Sequence, residues 1–223
     1  MKKKKIAAFF DFDGTIYKGL VAFDIFTFAF RNGIMNLSEM LTLSKLSYYY
    51  VLDKFNLAER ISINKRLYKK IKGLKSEELV GSASEKFFLH NKYKKFYPDI
   101  MGIIGWHAKN GHRIVVVTSA IKETVNPVKK LIKIDEIIST EVETKNGIYT
   151  DTVKILPVGQ NRIDLIKNYC KKHNIDLRRS YAYSDHFSDI PLLESVGNAI
   201  VTSPDRRLRA HAVKEGWKII ENR

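Results

Sequence analysis

Residues 6–15 read IAAFFDFDGT, an apolar run that leads into two acids and a Gly-Thr turn. The run predicts a buried strand, and an α/β sheet binds its ligands at the C-terminal ends of such strands. Because side chains alternate along an extended chain, Asp11 and Asp13 can converge on one spot. Paired carboxylates there suit Mg²⁺ and a phosphate ester. A plain Asp-Gly turn is the alternative, and this run alone leaves the two interpretations open.

The composition is that of a soluble globular protein. The chain has 223 residues, 44% hydrophobic and 28% charged, which is enough for one core, or a core with an insertion. No apolar run approaches the roughly 18–20 residues that span a bilayer, so no membrane span is expected. The lysines at 2–5 imitate the start of a signal peptide, but the apolar run after them is too short. The single cysteine, Cys170, excludes an intrachain disulfide and predicts a packing residue in a reducing cytoplasm.

The formal net charge of +15 has three interpretations: nucleic-acid binding, attraction of anionic substrates, or a lysine-rich proteome. The basic residues are scattered in short groups, and no nucleic-acid-binding motif accompanies them. We therefore expect no specific nucleic-acid partner. Steering of phosphorylated ligands by the positive charge stays open.

Strand-like and helix-like segments alternate in residues 1–18 and 96–223. This alternation predicts an α/β fold with a Rossmann-like, doubly wound, mostly parallel sheet. Asn146-Gly147 between β-prone arms predicts one hairpin within it. The predicted strands are Ile6–Phe10, Ile114–Val117, Ile137–Thr140, Tyr181–Tyr183, Asn198–Val201 and Trp217–Ile220. The predicted helices are Ile100–Ala108, Pro127–Ile132, Ile163–Cys170, Ile190–Ser195 and Arg206–Glu215.

Residues 19–95 differ, because they contain almost no strand pattern and no proline. They predict an α-helical bundle inserted after the first strand and its turn. Residues 1–18 and 96–223 then form a core domain, and residues 19–95 a helical cap domain. Asn56 with Glu59 resembles a capping box, and Ser76 an N-cap. The predicted cap helices are Leu20–Asn32, Ser38–Asp53, Leu57–Lys72 and Glu77–Lys92.

Two further predicted strands end in polar groups. Thr118 and Ser119 follow the strand at 114–117, where a hydroxyl and small residues let backbone amides approach a phosphate; the alternative is that they cap the next helix. Asp185 and Asp189 follow the strand at 181–183. Asp189 can instead cap a helix, whereas Asp185 has no comparable structural explanation. Acids or hydroxyls at three strand ends on one sheet edge indicate a site rather than packing.

Together these motifs resemble those of the haloacid dehalogenase superfamily, in its subfamily IB of phosphoserine-phosphatase-like hydrolases. Residues 11–15 resemble the first motif, DxDGT, and Thr118 resembles the hydroxyl residue of the second. Asp185 with Asp189 resembles the fourth. The long interval between the first two motifs leaves room for the helical cap that such enzymes insert there. The resemblance covers nearly the whole chain, including the tail at 203–208.

The resemblance implies a role for each of these residues. Asp11 would be the nucleophile that forms an aspartyl-phosphate, and Asp13 would protonate the leaving oxygen and then activate water. The Asp11 side chain, the Asp13 carbonyl and Asp185 would hold Mg²⁺, with Asp189 in support. Thr118, Ser119, Gly14 and nearby amides would bind the phosphoryl oxygens. The expected function is a cytoplasmic, Mg²⁺-dependent phosphomonoesterase for a small phosphorylated metabolite; the alternatives are a phosphate-binding regulatory protein and a phosphotransferase.

Two positions depart from the family pattern. The third motif of the family is usually a lysine, but Gly159-Gln160-Asn161-Arg162 stands in its place. Arg162 is the favoured substitute, with Lys154 or a weakened motif as the alternatives. Phosphoserine phosphatases carry a glutamate that reads the substrate amine nine residues after the nucleophile, where this chain has Leu20. Phosphoserine is therefore disfavoured, and Arg60, Lys65 and Arg66 are cap candidates for a substrate anion.

Overall fold

The fold is built on a mostly parallel sheet, and the apolar strand that precedes Asp11 and Asp13 lies in the middle of it. The computed structural model of the protein describes residues 4–41 and 71–222. The sheet has seven strands in the order β4-β3-β2-β1-β5-β6-β7, and only β3 and β4 pair antiparallel. The strands are β1 (Ala7–Phe10), β2 (Arg113–Ile121), β3 (Glu136–Lys145), β4 (Ile148–Ile155), β5 (Tyr181–Ser184), β6 (Asn198–Thr202) and β7 (Lys218–Ile220). The predicted doubly wound α/β fold is confirmed.

The helices flank this sheet and fill the insertion after β1. Those described are α1 (Val21–Arg31), α2 (Ser82–Asn91), α3 (Pro98–Lys109), α4 (Lys122–Val125), α5 (Gln160–His173), α6 (Ile190–Glu194) and α7 (Arg206–Glu215). A π-helical turn covers Ser76–Gly81, and 3₁₀ turns cover Asn126–Lys130, Leu177–Arg179 and Phe187–Asp189. None of the helices in the described ranges is long and apolar enough to cross a membrane.

All four residues of β1 are fully buried, as its apolar sequence predicts. Ala8 and Phe10 belong to one hydrophobic core, whereas Ala7 and Phe9 belong to a second. Successive side chains of a strand point to opposite faces, so the sheet is covered on both sides. A strand buried on both faces is what a parallel sheet requires. Cys170 packs in the second core, and burial raises the pKa of its thiol to about 11.

The predicted hairpin is confirmed. β3 and β4 pair antiparallel around Asn146 and Gly147, which have φ values of 51° and 74°. Positive φ at both central residues suits the turn that matches the twist of the flanking strands.

Several predicted boundaries were wrong, and three of them changed the character of an element. β2 runs to Ile121 rather than ending at Val117, but its pairing with β3 shifts register between these two residues. The predicted helix at 127–132 is a short α4 followed by a 3₁₀ turn, because Pro127 provides no backbone N–H to an α-helical ladder. The predicted helix at 77–92 begins as a π-helical turn before α2.

The described part of the insertion is helical. Phe28 of α1 meets Phe87 of α2 edge to face, with ring centroids 5.7 Å apart, and both helices contribute to the core beside Phe10. The two chain passages that join the insertion to the sheet run together, where the Lys18 N–H donates to the Lys95 carbonyl over 2.7 Å. The boundaries of a cap domain at 19–95 stay a prediction. The capping box at Asn56, the cap cations Arg60, Lys65 and Arg66, and most of two predicted helices lie outside the described residues.

Candidate active site

Asp11 follows β1 directly, and its backbone N–H donates to the Tyr183 carbonyl of β5 over 3.0 Å. Only 8% of the residue is exposed. Burial and the negative charges of Asp189 and Asp185 raise the pKa of Asp11 to about 8, while the Arg162 guanidinium acts in the opposite direction. The Asp11 carboxyl group is therefore buried beside two further carboxylates, and a bound cation would favour its ionised form.

The turn that follows holds Asp185 against the chain. The Phe12 carbonyl accepts backbone N–H bonds from residues 15–17, and Gly14 has a φ of +88°. A Cβ on Gly14 would lie 2.2 Å from Oδ2 of Asp185, so the carboxylate occupies the space of a side chain. The Thr15 hydroxyl donates to Oδ1 of Asp185 over 3.1 Å. Glycine is thus required for both its backbone conformation and this close approach.

Asp13 lies at the start of the insertion. Its Oδ1 accepts the backbone N–H of Val21, the first residue of α1, over 2.8 Å. A helix N-terminus stabilises a negative charge, because its first N–H groups have no partners within the helix. The residue is half-buried, so part of its surface is accessible to solvent.

Thr118 and Ser119 lie in the irregular end of β2, and both are buried. The Thr118 Oγ1 accepts the N–H of Ala120 over 3.1 Å. The Thr140 hydroxyl donates to the Ser119 carbonyl over 2.7 Å and holds this end to β3. Neither Thr118 nor Ser119 caps α4, whose N-cap position is Ile121 and receives no side-chain bond. The alternative that these residues serve only as a helix cap is therefore wrong.

Arg162, in the first turn of α5, reaches the end of β1. Its Nη2 donates to Oδ1 of Asp11 over 3.3 Å, and its Nη1 donates to Oδ1 of Asp189. Its Nε donates to the Pro157 carbonyl over 3.1 Å. The guanidinium is buried, and its planar fork allows it to hold two carboxylates at once.

Lys154, the other candidate for the third motif, lies on β4. Its Nζ pairs with Oε1 of Glu143 at 3.5 Å, with 56% of the lysine side chain exposed. The structure thus brings Arg162, and not Lys154, to Asp11.

Asp189 does not act as a helix cap, although it stands at the N-cap position of α6. Its Oδ2 accepts the Ser184 hydroxyl over 2.7 Å, and its Oδ1 accepts from Arg162 and from the Ser188 hydroxyl. The carboxylate therefore joins β5 to α5.

Asp205 fixes the loop that carries Asp185. Its backbone N–H donates to the Asp185 carbonyl over 2.9 Å, and its Oδ2 accepts the N–H of Phe187 over 2.7 Å. Its Oδ1 caps α7 by accepting the N–H groups of Arg207 and Leu208. One side chain thus ties the start of α7 to the acidic loop after β5.

The sequence reasoning missed three residues of this network: Thr15, Ser184 and Asp205. Thr15 and Ser184 are fully buried hydroxyls. The sequence signals for them were the place of Thr15 at the end of the first motif and of Ser184 directly before Asp185. Asp205 precedes a helical run, which is a recognisable N-cap pattern. Its second contact, to the loop after β5, has no local pattern.

The carboxylates of the site suit the coordination that Mg²⁺ usually has in proteins. Mg²⁺ is usually bound through one or two carboxylates, with water and substrate phosphate completing its shell. Asp11 and Asp185 provide two buried carboxylates at adjacent strand ends. Burial first, and then the neighbouring carboxylates, raise the pKa of Asp11 to about 8, and a bound cation would favour its ionised form. Within residues 4–41 and 71–222 no three His, Cys, Asp or Glu side chains form a metal cluster. That finding argues against an all-protein cage but is compatible with a site of two carboxylates and a backbone carbonyl.

Solved structures share this fold. A protein of unknown function from Bordetella pertussis superposes with a TM-score of 0.81 at 21% identity, covering 98% of this chain and 99% of that one. A phospho-aspartyl intermediate analogue of phosphoserine phosphatase superposes with a TM-score of 0.66 at 19% identity, covering 98% and 94%.

Sequence relatives and a family profile agree with the structural likeness. An inhibition of morphological differentiation protein of Streptomyces azureus is 26% identical over 219 residues, covering 97% of this chain and 78% of the relative. A phosphoserine phosphatase of Mycobacterium tuberculosis is 26% identical over 221 residues, covering 96% and 70%. The expected likeness to phosphoserine phosphatases is thus confirmed. Since residues 8–194 also match the profile of the haloacid dehalogenase-like hydrolases, the chain belongs to that family of hydrolases.

Proposed function

We propose that this hydrolase is a Mg²⁺-dependent phosphomonoesterase that acts through an aspartyl-phosphate. The observation that carries the proposal is that Asp11 and Asp185 directly follow the neighbouring strands β1 and β5, and Thr118 lies in the irregular last part of β2 on the other side of β1; Arg162 is bonded to Asp11. Phosphoester hydrolysis is also supported by relatives named as phosphatases.

In this mechanism the Asp11 carboxylate attacks phosphorus, and Asp13 protonates the leaving oxygen. The ester P–O bond breaks, the alcohol leaves with the proton from Asp13, and the phosphoryl group stays on Asp11. Asp13, now ionised beside the N-terminus of α1, then takes a proton from the water that hydrolyses the acyl phosphate. Bound Mg²⁺ would supply charge neutralisation between carboxylate and phosphate.

Two side chains, Thr118 and Arg162, can donate hydrogen bonds to the phosphoryl oxygens of a bound substrate. The Thr118 Oγ1 already accepts from Ala120, so its own proton is available to a ligand. Arg162 would neutralise the phosphate in the role that lysine has in the family pattern. Because Arg162 also bonds Asp189, it is held in one orientation before the substrate arrives, which lowers the reorganisation that the reaction needs.

The substrate is proposed to be a small phosphorylated metabolite other than phosphoserine. Leu20 is the N-cap residue of α1 and makes no side-chain hydrogen bond. An apolar side chain there offers nothing to a substrate ammonium group.

The test is the hydrolysis of p-nitrophenyl phosphate by the purified protein with Mg²⁺. We expect turnover that chelation abolishes, and Asp11→Asn should lower kcat by more than about 10³-fold, because the amide is not a nucleophile. Asp24→Asn is the matched control, since Asp24 lies on α1 and bonds Tyr17 and Lys95 instead. Turnover that survives Asp11→Asn and chelation would contradict the mechanism.

A phosphate-binding protein of low activity is the second candidate. The observation that favours it is the direct ion pair between Arg162 and Asp11. The Asp11 carboxylate must give up part of this ion pair when it attacks phosphorus, which would slow the reaction. This candidate predicts phosphate binding without turnover by the native protein, and turnover in Arg162→Lys. Robust turnover by the native protein rules it out.

A further inference from the structure

Lys18 and Tyr97 meet beside the acidic turn, where the two chain passages of the insertion run together. The Tyr97 N–H donates to the Ile16 carbonyl over 3.1 Å. The Lys18 Nζ lies over the Tyr97 ring, 5.2 Å from its centroid. The pair is thus attached to the turn that carries Asp13 and Gly14, on the side where the insertion begins.

The Tyr97 hydroxyl has no hydrogen-bond partner among residues 4–41 and 71–222. The residue is half-buried at the N-cap position of α3. Burial, and then the negative charge of Asp185, raise the pKa of its phenol. Tyr97 therefore stays protonated, lies within the field of the acidic site, and has an O–H to donate to a ligand.

Lys18 has no carboxylate partner among the described residues, unlike Lys95 on the adjacent chain passage. Lys95 pairs with Oδ2 of Asp24 at 3.3 Å, and the same oxygen accepts the Tyr17 hydroxyl over 2.6 Å. Asp24 is thus occupied by two other groups. Lys18, held only over an aromatic face, keeps its three N–H donors for an incoming anion.

We propose that Lys18 and Tyr97 form a leaving-group subsite that binds a second anionic group of the substrate. The inference rests on the proposed phosphomonoesterase function and narrows its substrate class. The substrate is then a phosphate monoester whose alcohol carries a carboxylate or a second phosphate. It lacks an amine, because Leu20 stands two residues from Lys18 and provides no acceptor for an ammonium group.

The experiment compares kcat/KM for an anionic ester with kcat/KM for an ester without a second anion. The substrates are 2-phosphoglycolate, fructose 1,6-bisphosphate and p-nitrophenyl phosphate, all with Mg²⁺. Lys18→Met should lower the ratio of the preferred anionic ester to the aryl ester by about tenfold, and Tyr97→Phe by about threefold. Lys95→Met is the matched control, because it removes the same charge from the adjacent chain passage, and it should leave the ratio unchanged. Whichever anionic ester is preferred identifies the anion as a carboxylate or a phosphate.

The outcomes test the proposed subsite and the proposed function separately. If the native protein hydrolyses the aryl ester but Lys18→Met and Lys95→Met give the same ratio, the subsite is wrong and the proposed function stands. Phosphoserine is added as an ester that carries both a carboxylate and an amine, and a higher kcat/KM for it than for 2-phosphoglycolate overturns the inference that the substrate lacks an amine. If the native protein hydrolyses no ester, the proposed function fails, and calorimetric binding of 2-phosphoglycolate decides the subsite. Weaker binding by Lys18→Met than by Lys95→Met then supports it, and equal binding overturns it.

Discussion

Gly14 shows how closely a single residue controls the site. The chain passes Asp185 so closely that a Cβ on Gly14 would lie 2.2 Å from Oδ2. Asp185 has little room to retreat, because the Thr15 hydroxyl and the Asp205 N–H hold it from two sides. The glycine therefore determines where a carboxylate, brought from another strand, can stand.

We expect Gly14→Ala to lower kcat/KM by about 10²-fold or more, because a displaced carboxylate no longer matches the metal and phosphate. Gly19→Ala is the matched control: Gly19 has a φ of +102°, but nothing lies within 4 Å of the position that a Cβ would take there. Both variants should lose about 1 kcal/mol of stability to the positive φ. Steady-state kinetics and urea unfolding measure the two effects, and equal activity in the two variants would contradict the steric argument.

At the scale of elements, the N-terminus of α7 holds the loop after β5. Asp205 caps the helix with one oxygen and bonds Phe187 with the other, two residues beyond Asp185. A helix cap and a ligand-bearing loop thus share one side chain, so stability and metal binding are coupled through it.

Asp205→Ala should lower the free energy of unfolding by about 1–2 kcal/mol through the lost cap and raise the Mg²⁺ concentration that gives half-maximal activity severalfold. Asp205→Asn keeps an acceptor oxygen and should recover part of both. Asp176→Ala is the control, because Asp176 caps the 3₁₀ turn before β5 by accepting the Arg178 N–H. This turn lies at the start of β5, whereas the acidic loop follows its end. Asp176→Ala should cost stability and leave the Mg²⁺ titration unchanged; an unchanged titration in Asp205→Ala as well would contradict the coupling.

At the scale of the whole molecule, a buried histidine joins α3 to the sheet. Nε2 of His107 lies 2.9 Å from the Tyr183 hydroxyl, and Nδ1 lies 2.8 Å from Nδ1 of His112. The Tyr183 ring stacks on Phe10 of β1 with centroids 4.5 Å apart. Burial, and then the nearby His112, lower the pKa of His107 from 6.5 to about 4.

The lowered pKa of His107 predicts that the folded protein loses stability as the pH falls. Both folded and unfolded chains hold His107 largely neutral at pH 7, but between pH 6.5 and 4 the unfolded chain binds the proton more readily. The free energy of unfolding should therefore fall as pH falls through this window, by roughly 3 kcal/mol in total from this group. Urea unfolding at pH 7, 5.5 and 4.5 measures the slope. It should be shallower in His107→Asn than in His90→Gln, an exposed histidine of α2, and equal slopes would contradict the prediction.

Much of the fold was predictable because its patterns are local. The apolar run of β1, the alternation of strands and helices, and the Asn-Gly hairpin each depend on neighbours along the chain. The strand boundary of β2 was not predictable, because its end depends on pairing with β3, where the register shifts after Val117. Residues 126–130 are different, because the local signal was present in Pro127: it provides no backbone N–H to an α-helical ladder, and the segment forms a 3₁₀ turn.

By itself, the sequence determined the acids at the strand ends, the parallel architecture that gathers them on one edge, and the family. Tertiary structure alone decided that Arg162 rather than Lys154 meets Asp11, and that Lys18 lies over Tyr97 rather than beside an acid. The physical reason is distance along the chain: these partners are brought together only when helices and strands pack. A sequence pattern records which groups are present at a strand end, whereas packing decides which of them touch.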